Sequence, residues 1–481
     1  MEKITGEHYI NGEFVHNSTS EYFDDIGPNT EDIIAQFPSA DSDAISEAVD
    51  SAEDAQVKWE SITGIERAKL LKKVSQKIRA DANRLAKVIT LEQGKTQQLS
   101  LREVNNAANY IDYMSEWARR VEGEIIQSDR ENENIFLYNQ PIGVVVAIIP
   151  WNSPFFIFAR KMAPALMAGD SIIIKPSSET PLIAYEFTKI LNEIDFPHGI
   201  VNVIYGGGKK IGNELISNKK VGFVTFTGST DAGADIMKAA SQNITKISLE
   251  LGGKAPAIVM EDADLEIAVE SIYRSRMFNN GQVCNAAERV YVQKNIFDKF
   301  INAMHYRMEK TRIGNSIEDP SIDNGPLVSQ KQRERVYKLV TEATNSGDKL
   351  LLGGNKIKIG GKGWFFEPTL ILSDTNKSNI MRDEIFGPVL PILSFEDLSE
   401  AIDFANDTDM GLTSSIYTQN LNVAMKAIHE LKFGETYINR ENGEEMQGYH
   451  SGWKKSGLGG DDGKHGFEEY FNKHVVYLQY S

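Results

Sequence analysis

Between Ser42 and about Ala118, apolar residues such as Ile45, Ala48, Ala52 and Ala55 recur at helical spacing among acidic and basic neighbours, which predicts solvated helices. From Ile142 to Met260 the period changes repeatedly. The runs "IGVVVAII", "SIIIKP", "GIVNVIYG", "VGFVTFTGS" and "ISLELGG" are rich in β-branched residues and are separated by helix-like segments. One separator, "TPLIAYEFTKILNEI", offers Thr180 as N-cap and Pro181 as first helical residue, and sets Ile183, Phe187, Ile190 and Leu191 on one face. Strand alternating with helix predicts a parallel sheet, whose ligands bind beyond the carboxyl ends of the strands. There lie "IIPWN", "IIIKPSS" and "FTGST", three loops expected to converge. A second alternation runs through "IFDKFINAMHYRMEKTR", "FEPTLIL", "VLPILSF" and "SEAIDFAND", predicting a second α/β lobe. "LLGGNKIKIGGKGW", from Leu351 to Trp364, reads as a hairpin loop. The terminal "HVVYLQYS" reads as a strand without a partner nearby in sequence, one that another subunit could pair.

Composition narrows the function. A chain of 481 residues exceeds one core, so two or three lobes are expected, and 41% hydrophobic with 25% charged residues is ordinary for a globular protein. The longest apolar run, Ile142 to Trp151, is far shorter than the roughly 20 residues of a membrane-spanning helix. The acidic start "MEKITGEHYINGEF" lacks the apolar core of a secretory signal, so a cytoplasmic location is expected. A single cysteine excludes internal disulfides, and the eight histidines form no HxH or HExxH pair, so no metal site is expected. The net charge of −17 argues against nucleic acid as partner.

That single cysteine, Cys284, stands in "FNNGQVCNAAERV" among small and amide-bearing residues. It reads either as buried filler or as a reactive thiol; Asn279 and Gly281 favour an irregular backbone whose N–H groups could lower its pKa. "SLELGGKAP" ends an apolar strand on Glu250, either one half of a structural ion pair or a carboxylate for proton transfer. "PWNSP" fixes Asn152 between prolines and aims its amide, although ordinary turn chemistry looks similar. "FTGST" sets Gly228 and Ser229 at a helix N-terminus suited to phosphate. "YGGGKKIGNEL" offers a second such start, but Gly206, Gly208 and Gly212 are spaced GxGxxxG, not GxGxxG, and a tight turn explains them equally.

Together "PWNSP", "KPSSETP", "FTGST", "LELGGKAP", "GQVCNAAERVYV", "EIFGPVLPI" and "NDTDMGLTSSIYT" resemble, in order and spacing, the aldehyde dehydrogenase superfamily over nearly the whole chain. Within it, "NYIDYMSEWARRVEGEIIQSDR", "FARKMAPAL" and "LKFGETYINRENGEEMQGYHSGWKKSGLGGDDGKHG" are similar to the lactaldehyde and glycolaldehyde dehydrogenases of bacteria. The resemblance implies an α/β fold with a Rossmann-like coenzyme lobe (1–120 and 140–249), an α/β catalytic lobe (250–452), and a β oligomerisation extension formed by bridging segments 121–139 and 453–481. A homotetramer is implied, in which the terminal strand finds its pair.

The resemblance also implies that Cys284 attacks the aldehyde, Asn152 and the Cys284 N–H stabilise the oxyanion, and Glu250 activates water on the thioester. Lys175 would hold the adenosine ribose and Ser229 meet the pyrophosphate beside Trp151, with Gly208, Gly212, Thr227 and Gly228 lining the coenzyme. Glu384 and Phe386 would place the nicotinamide ribose. NAD is implied, and NADP also, because Ser178 stands where close relatives carry a ribose-binding glutamate. Arg160, Asn285, Glu444 and His450 would surround a small hydroxyaldehyde. A semialdehyde dehydrogenase, with Arg160 gripping a distal carboxylate, or a broad-specificity aldehyde dehydrogenase is the alternative. Arg160 could also simply pair with an acid, and His450 could be an ordinary loop residue. A catalytically silent protein on this fold is a rival that Cys284, Glu250 and Asn152 together oppose.

Overall fold

The structure is a computed structural model that describes residues 4–16 and 21–481, so Met1–Lys3 of the amino-terminal segment lie outside the described residues. The amphipathic stretch after Ser42 forms four helices, Ser42–Ser61, Gly64–Ala80, Ala82–Gln93 and Gln97–Ser115. Local chemistry sets their ends. Asp41, Thr63 and Thr96 accept the backbone N–H groups of Ala44, Glu66 and Leu99, and Gly94, at φ 86°, ends the third helix in the left-handed conformation.

An eight-stranded sheet runs in the order Gly457–Leu458, Lys246–Glu250, Val221–Thr227, Val144–Ile148, Ser171–Lys175, Val201–Val203, His8–Ile10, Glu13–Val15. Its five central strands are parallel, as the alternation predicts. Their residues read as unbroken apolar runs because both faces are covered: Val145, Ala147, Ile172 and Ile174 enter one core, and Val144, Val146, Ile148 and Ile173 the other. The register pairs Thr227 with Glu250, Phe226 with Ile148 and Ile148 with Lys175. The carboxyl ends are therefore level, and "PWNSP", "KPSSE" and "TGST" leave the sheet side by side. Helix Pro181–Glu193 follows with Thr180 as N-cap, although the Thr180 hydroxyl makes no capping bond.

A seven-stranded sheet, in the order Lys349–Leu352, Thr369–Leu372, Val389–Phe395, Arg289–Gln293, Pro256–Val259, Thr413–Tyr417, Glu435–Ile438, carries the second alternation. The Gly-rich stretch after Leu351 holds the predicted hairpin, Lys356–Ile359 with Lys362–Phe366. The terminal strand departs from expectation. Phe471–Gln479 pairs antiparallel with Glu133–Pro141 of its own chain, from Phe471↔Pro141 to Gln479↔Glu133, so no second subunit is needed to satisfy it. Sequence neighbourhood misled here because the partner lies more than 300 residues upstream. Glu124–Gln127 completes this three-stranded sheet.

Candidate active site

Cys284 sits in an irregular loop between helix Leu265–Met277 and strand Arg289–Gln293. Asn279, Asn280 and Gly281 all adopt positive φ (48°, 57° and 70°), which explains amide and glycine residues there. A side chain at Gly281 would meet the Gly387 carbonyl at 2.3 Å. The loop is pinned from within: Gln282 accepts from Val328 N–H at 3.0 Å and donates to the Asn279 carbonyl at 3.1 Å. Across from it, Asn152 is buried and donates one amide hydrogen to the Gln282 carbonyl at 3.1 Å. The Asn152 carbonyl in turn accepts from Lys95 Nζ at 2.8 Å and from Asn279 at 3.2 Å, and Glu103 holds that lysine at 2.5 Å. Glu103 also caps helix Pro154–Ala168 through the Phe155 and Phe156 N–H groups.

Glu250 is buried at the end of its strand. Thr227 Oγ1, its cross-strand neighbour, donates to Oε2 at 3.2 Å, while Oε1 has no hydrogen-bond partner among the described residues and lies 3.7 Å from Lys161 Nζ. Burial pushes the carboxyl up, but Lys161, then Arg160 and His450, outweigh it and hold it below the usual carboxylate range. Lys161 is shared with Asp461 at 2.5 Å. Arg160, on the same helix, is gripped through Nε and Nη2 by Asp462 and reaches Glu444 at 3.5 Å. Glu444 accepts from Asn285 at 2.6 Å, and Glu435 lies 2.6 Å from His450 Nδ1. Burial works against a charged His450 ring, yet Glu435, aided by Glu444 and by the Cys284 side chain, holds its pKa well above the ordinary value. Asn285, Glu444 and Asp462 line a cavity of about 570 Å³ that also reaches Phe156 and Arg440. A larger cleft of about 940 Å³ along helix Ser42–Ser61 carries none of the expected site residues.

The structure thus brings together Cys284, Asn152, Glu250, Arg160, Asn285, Glu444 and His450. Arg160 does pair with acids, Asp462 and Glu444, and His450 is a buried member of the cluster. The sequence reading missed Lys161, Asp461, Asp462 and Glu435. Two signals were present: a lysine inside the apolar "FFIFARKMAPALMA", and an acidic pair between glycines in "GGDDGKHG", where Asp462 takes φ 69°.

The level strand ends also form a groove suited to a dinucleotide. Lys175 is buried, its ammonium bonds the Pro176 carbonyl at 2.9 Å and no carboxylate among the described residues, and burial brings its pKa down to about 8. Such an ammonium lacks the acceptors that a ribose offers. Ser178 donates to the Gly206 carbonyl at 3.2 Å and, with Glu179, Gly207 and Lys331, faces a cavity of about 620 Å³. At Gly208, which starts helix Gly208–Ile216, an added Cβ would meet nothing within 4 Å; at Gly212 it would meet only Ile148, at 3.6 Å. Ser229 caps helix Thr230–Ala240, and Gly228 N–H bonds the Glu250 carbonyl at 2.9 Å. On the far wall Trp151 and Phe386 meet edge to face at 5.4 Å, and Glu384 accepts from Gly253 N–H at 3.0 Å. Burial, with Glu288 nearby, lifts Glu384 to about 7.

The family model for the aldehyde dehydrogenase family matches residues 14–476. The chain belongs to the aldehyde dehydrogenase family. Aldehyde dehydrogenases are oxidoreductases that use NAD or NADP, and the fold above is that of this family. The chain is 53% identical to lactaldehyde dehydrogenase of Escherichia coli over 98% of both lengths, and superposes on a crystal structure of that enzyme with a TM-score of 0.98, covering 99% of this chain and 100% of that one. It is 38% identical, over 98% of its length and 96% of the relative's, to a D-glyceraldehyde dehydrogenase (NADP(+)) of Picrophilus torridus. A crystal structure of betaine aldehyde dehydrogenase from Staphylococcus aureus in complex with NAD+ matches with a TM-score of 0.96 at 33% identity, covering 99% of this chain and 95% of that one.

Proposed function

We propose that this aldehyde dehydrogenase oxidises small 2-hydroxyaldehydes, lactaldehyde to lactate and glycolaldehyde to glycolate, with NAD and with NADP. The observation that carries this reading is the closed charge cluster beside Cys284. Arg160 is held by Asp462 and Glu444, and Lys161 by Asp461 and Glu250, so neither of these two cations is left for a distal carboxylate. A semialdehyde would bring its acid against Glu444 and Asp462. A 2-hydroxyl group finds Asn285, Glu444 and His450 instead. The names of the hydroxyaldehyde-oxidising relatives point the same way.

In the reaction the Cys284 thiolate adds to the aldehyde carbonyl, giving a thiohemiacetal. The second amide hydrogen of Asn152 and the Cys284 N–H stabilise the oxyanion. The nicotinamide coenzyme, when bound, supplies the acceptor for the departing hydride. A thioester on Cys284 results. Ionised Glu250 takes a proton from water as that water adds to the thioester, and the hydroxyacid leaves. Lys175, Ser178, Gly208, Gly212, Thr227, Gly228 and Ser229, with Trp151 beside the pyrophosphate, would hold the adenosine diphosphate side, and Glu384 and Phe386 the nicotinamide ribose. We assign residues 1–120 and 140–249 to the coenzyme lobe, 250–452 to the catalytic lobe, and 121–139 with 453–481 to bridging segments of a cytoplasmic homotetramer. Among the described residues no helix is long and apolar enough to cross a membrane.

Coenzyme reduction over a panel of glycolaldehyde, lactaldehyde, succinate semialdehyde and propanal tests the reading. A charge-assisted hydrogen bond is worth about 1.5–3 kcal/mol, so kcat/KM for the hydroxyaldehydes should exceed that for propanal by about 10- to 150-fold. A preference for succinate semialdehyde would overturn it.

A further inference from the structure

Behind His450 stands a carboxylate that no motif singles out. Glu435 opens the edge strand Glu435–Ile438, paired in parallel with Thr413–Tyr417. Its backbone is held on both sides: the N–H donates to the Leu412 carbonyl at 3.0 Å and the carbonyl accepts from Ser414 Oγ at 3.1 Å. One carboxylate oxygen lies 2.6 Å from His450 Nδ1, and the other accepts the Tyr437 hydroxyl. His450 is itself anchored, exchanging backbone hydrogen bonds of 3.0 and 2.9 Å with Asp461, the neighbour of the aspartate that grips Arg160. With Nδ1 taken by Glu435, the ring nitrogen left for a substrate is Nε2.

We propose that Glu435 is a positioning residue for the hydroxyaldehyde: by accepting the Nδ1–H bond it fixes the His450 ring and keeps Nε2–H as the donor presented to the 2-hydroxyl beside Cys284. The proposal rests on the hydroxyaldehyde reading above. An imidazole backed by a carboxylate is held in orientation and favoured as the cation, which has donors only. Other charged and titratable groups also face the ring: Glu444 from its loop, Arg160 from helix Pro154–Ala168, Glu250 from its strand end, Asp462 and Cys284. Arg160 opposes the ring's charge, and Glu435 is its largest support. An aldehyde lacking the 2-hydroxyl leaves Nε2–H without a partner in a buried site, a discrimination that a purely apolar pocket does not provide.

The test is the ratio of kcat/KM for glycolaldehyde to that for propanal, followed from pH 6 to 9.5 in the parent, Glu435→Gln, His450→Ala and the double variant. Any pH effect on the chemistry common to both aldehydes cancels in the ratio. Because Glu435 raises the His450 pKa, the donor persists through neutrality and is lost only as pH rises through the raised value. The parent ratio should hold through neutrality and fall only as pH rises through the raised His450 value. In Glu435→Gln the ratio should drop about tenfold at pH 7, the equivalent of one hydrogen bond, and its decline should move toward about pH 6.5, the ordinary histidine value. The double variant should discriminate no less than His450→Ala, since Glu435 acts through that ring. An unchanged ratio and midpoint in Glu435→Gln, or additive losses in the double variant, would overturn the proposal and leave the hydroxyaldehyde reading standing. A parent with no preference for glycolaldehyde would overturn both. Should Glu435→Gln not fold, the parent profile decides: a ratio falling through about pH 6.5, the ordinary histidine value, refutes the charged donor, and a fall displaced above that value supports it.

Discussion

Glu250 is asked to accept a proton from water, and its surroundings fit an ionised base. Lys161, Arg160 and His450, with Asp461 beside them, hold its pKa down against burial. Replacing it with glutamine removes the base but leaves Cys284 and Asn152, so the first turnover should proceed and the thioester accumulate. Rapid mixing of Glu250→Gln with aldehyde and NAD should show a burst of reduced coenzyme and a steady rate lower by about 10²- to 10⁴-fold, the usual worth of a general base. Cys284→Ala should show neither burst nor turnover. A Glu250→Gln enzyme turning over at the parent rate would refute the assignment. Ser178 allows a second test. Its small hydroxyl and the nearby Lys331 leave the 620 Å³ cavity open to a 2′-phosphate, while exposed Glu179 lines the same space. A carboxylate placed at 178 would repel that phosphate by roughly 4 kcal/mol at about 4 Å near a protein surface. Steady-state kinetics with both coenzymes should show Ser178→Glu losing NADP efficiency by at least about tenfold while NAD is retained. A parent that already rejects NADP by several orders of magnitude would defeat this.

The segment Glu384-Ile385-Phe386 is shaped by a residue far from it in sequence. Buried Glu288 accepts from Ile385 N–H at 2.7 Å and Phe386 N–H at 3.1 Å, and is paired with Arg276 at 2.7 Å and Lys254 at 3.0 Å. These bonds support Phe386 at φ 54°, a conformation that costs an aromatic residue about 1–3 kcal/mol. Burial would raise the Glu288 pKa, but Arg276 and Lys254 bring it down to about 2. Its contribution to stability is therefore complete above the ordinary glutamate value and is lost as pH falls toward 2. Glu288→Gln leaves two buried cations short of a charge, at a cost of about 3–5 kcal/mol. Thermal melting should register this loss, and KM for the coenzyme should rise more than KM for the aldehyde; equal changes in both would refute a local role for this loop. The contrast with Cys284 shows what the sequence made legible. Strand runs, loops, caps, and Cys284, Glu250 and Asn152 announce themselves through local pattern or motif. Asp461, Asp462, Glu435 and Glu288 do not, because each acts on a residue brought near only by the fold: Arg160 and Asp462 are 302 positions apart. The paired terminal strand was illegible for the same reason.

At the scale of the whole molecule, the three-stranded sheet is the part that does not cover itself. The register places Ile126, Ile135 and Tyr477 in one row and Ile125, Phe136 and Val476 in the next, so the two rows face opposite sides. Both sides remain open: Ile125 is 76% exposed, Tyr477 66% and Leu478 50%. Three strands with apolar residues exposed on both faces have no core of their own, and a net charge of −17 would otherwise keep such chains apart. The proposed homotetramer would cover these faces with neighbouring subunits. Ile125→Lys with Tyr477→Lys probes this without disturbing the chain's own fold, since substitutions at exposed positions change stability by about 0.5 kcal/mol or less. In an interface the same lysines would be buried without partners, a cost of several kcal/mol for each ion. Light scattering coupled to size exclusion should give the parent the mass of four 53.7 kDa chains and the double variant a smaller one, with the melting temperature of each chain checked alongside. An unchanged particle mass in a folded double variant would show that this sheet does not hold the subunits together.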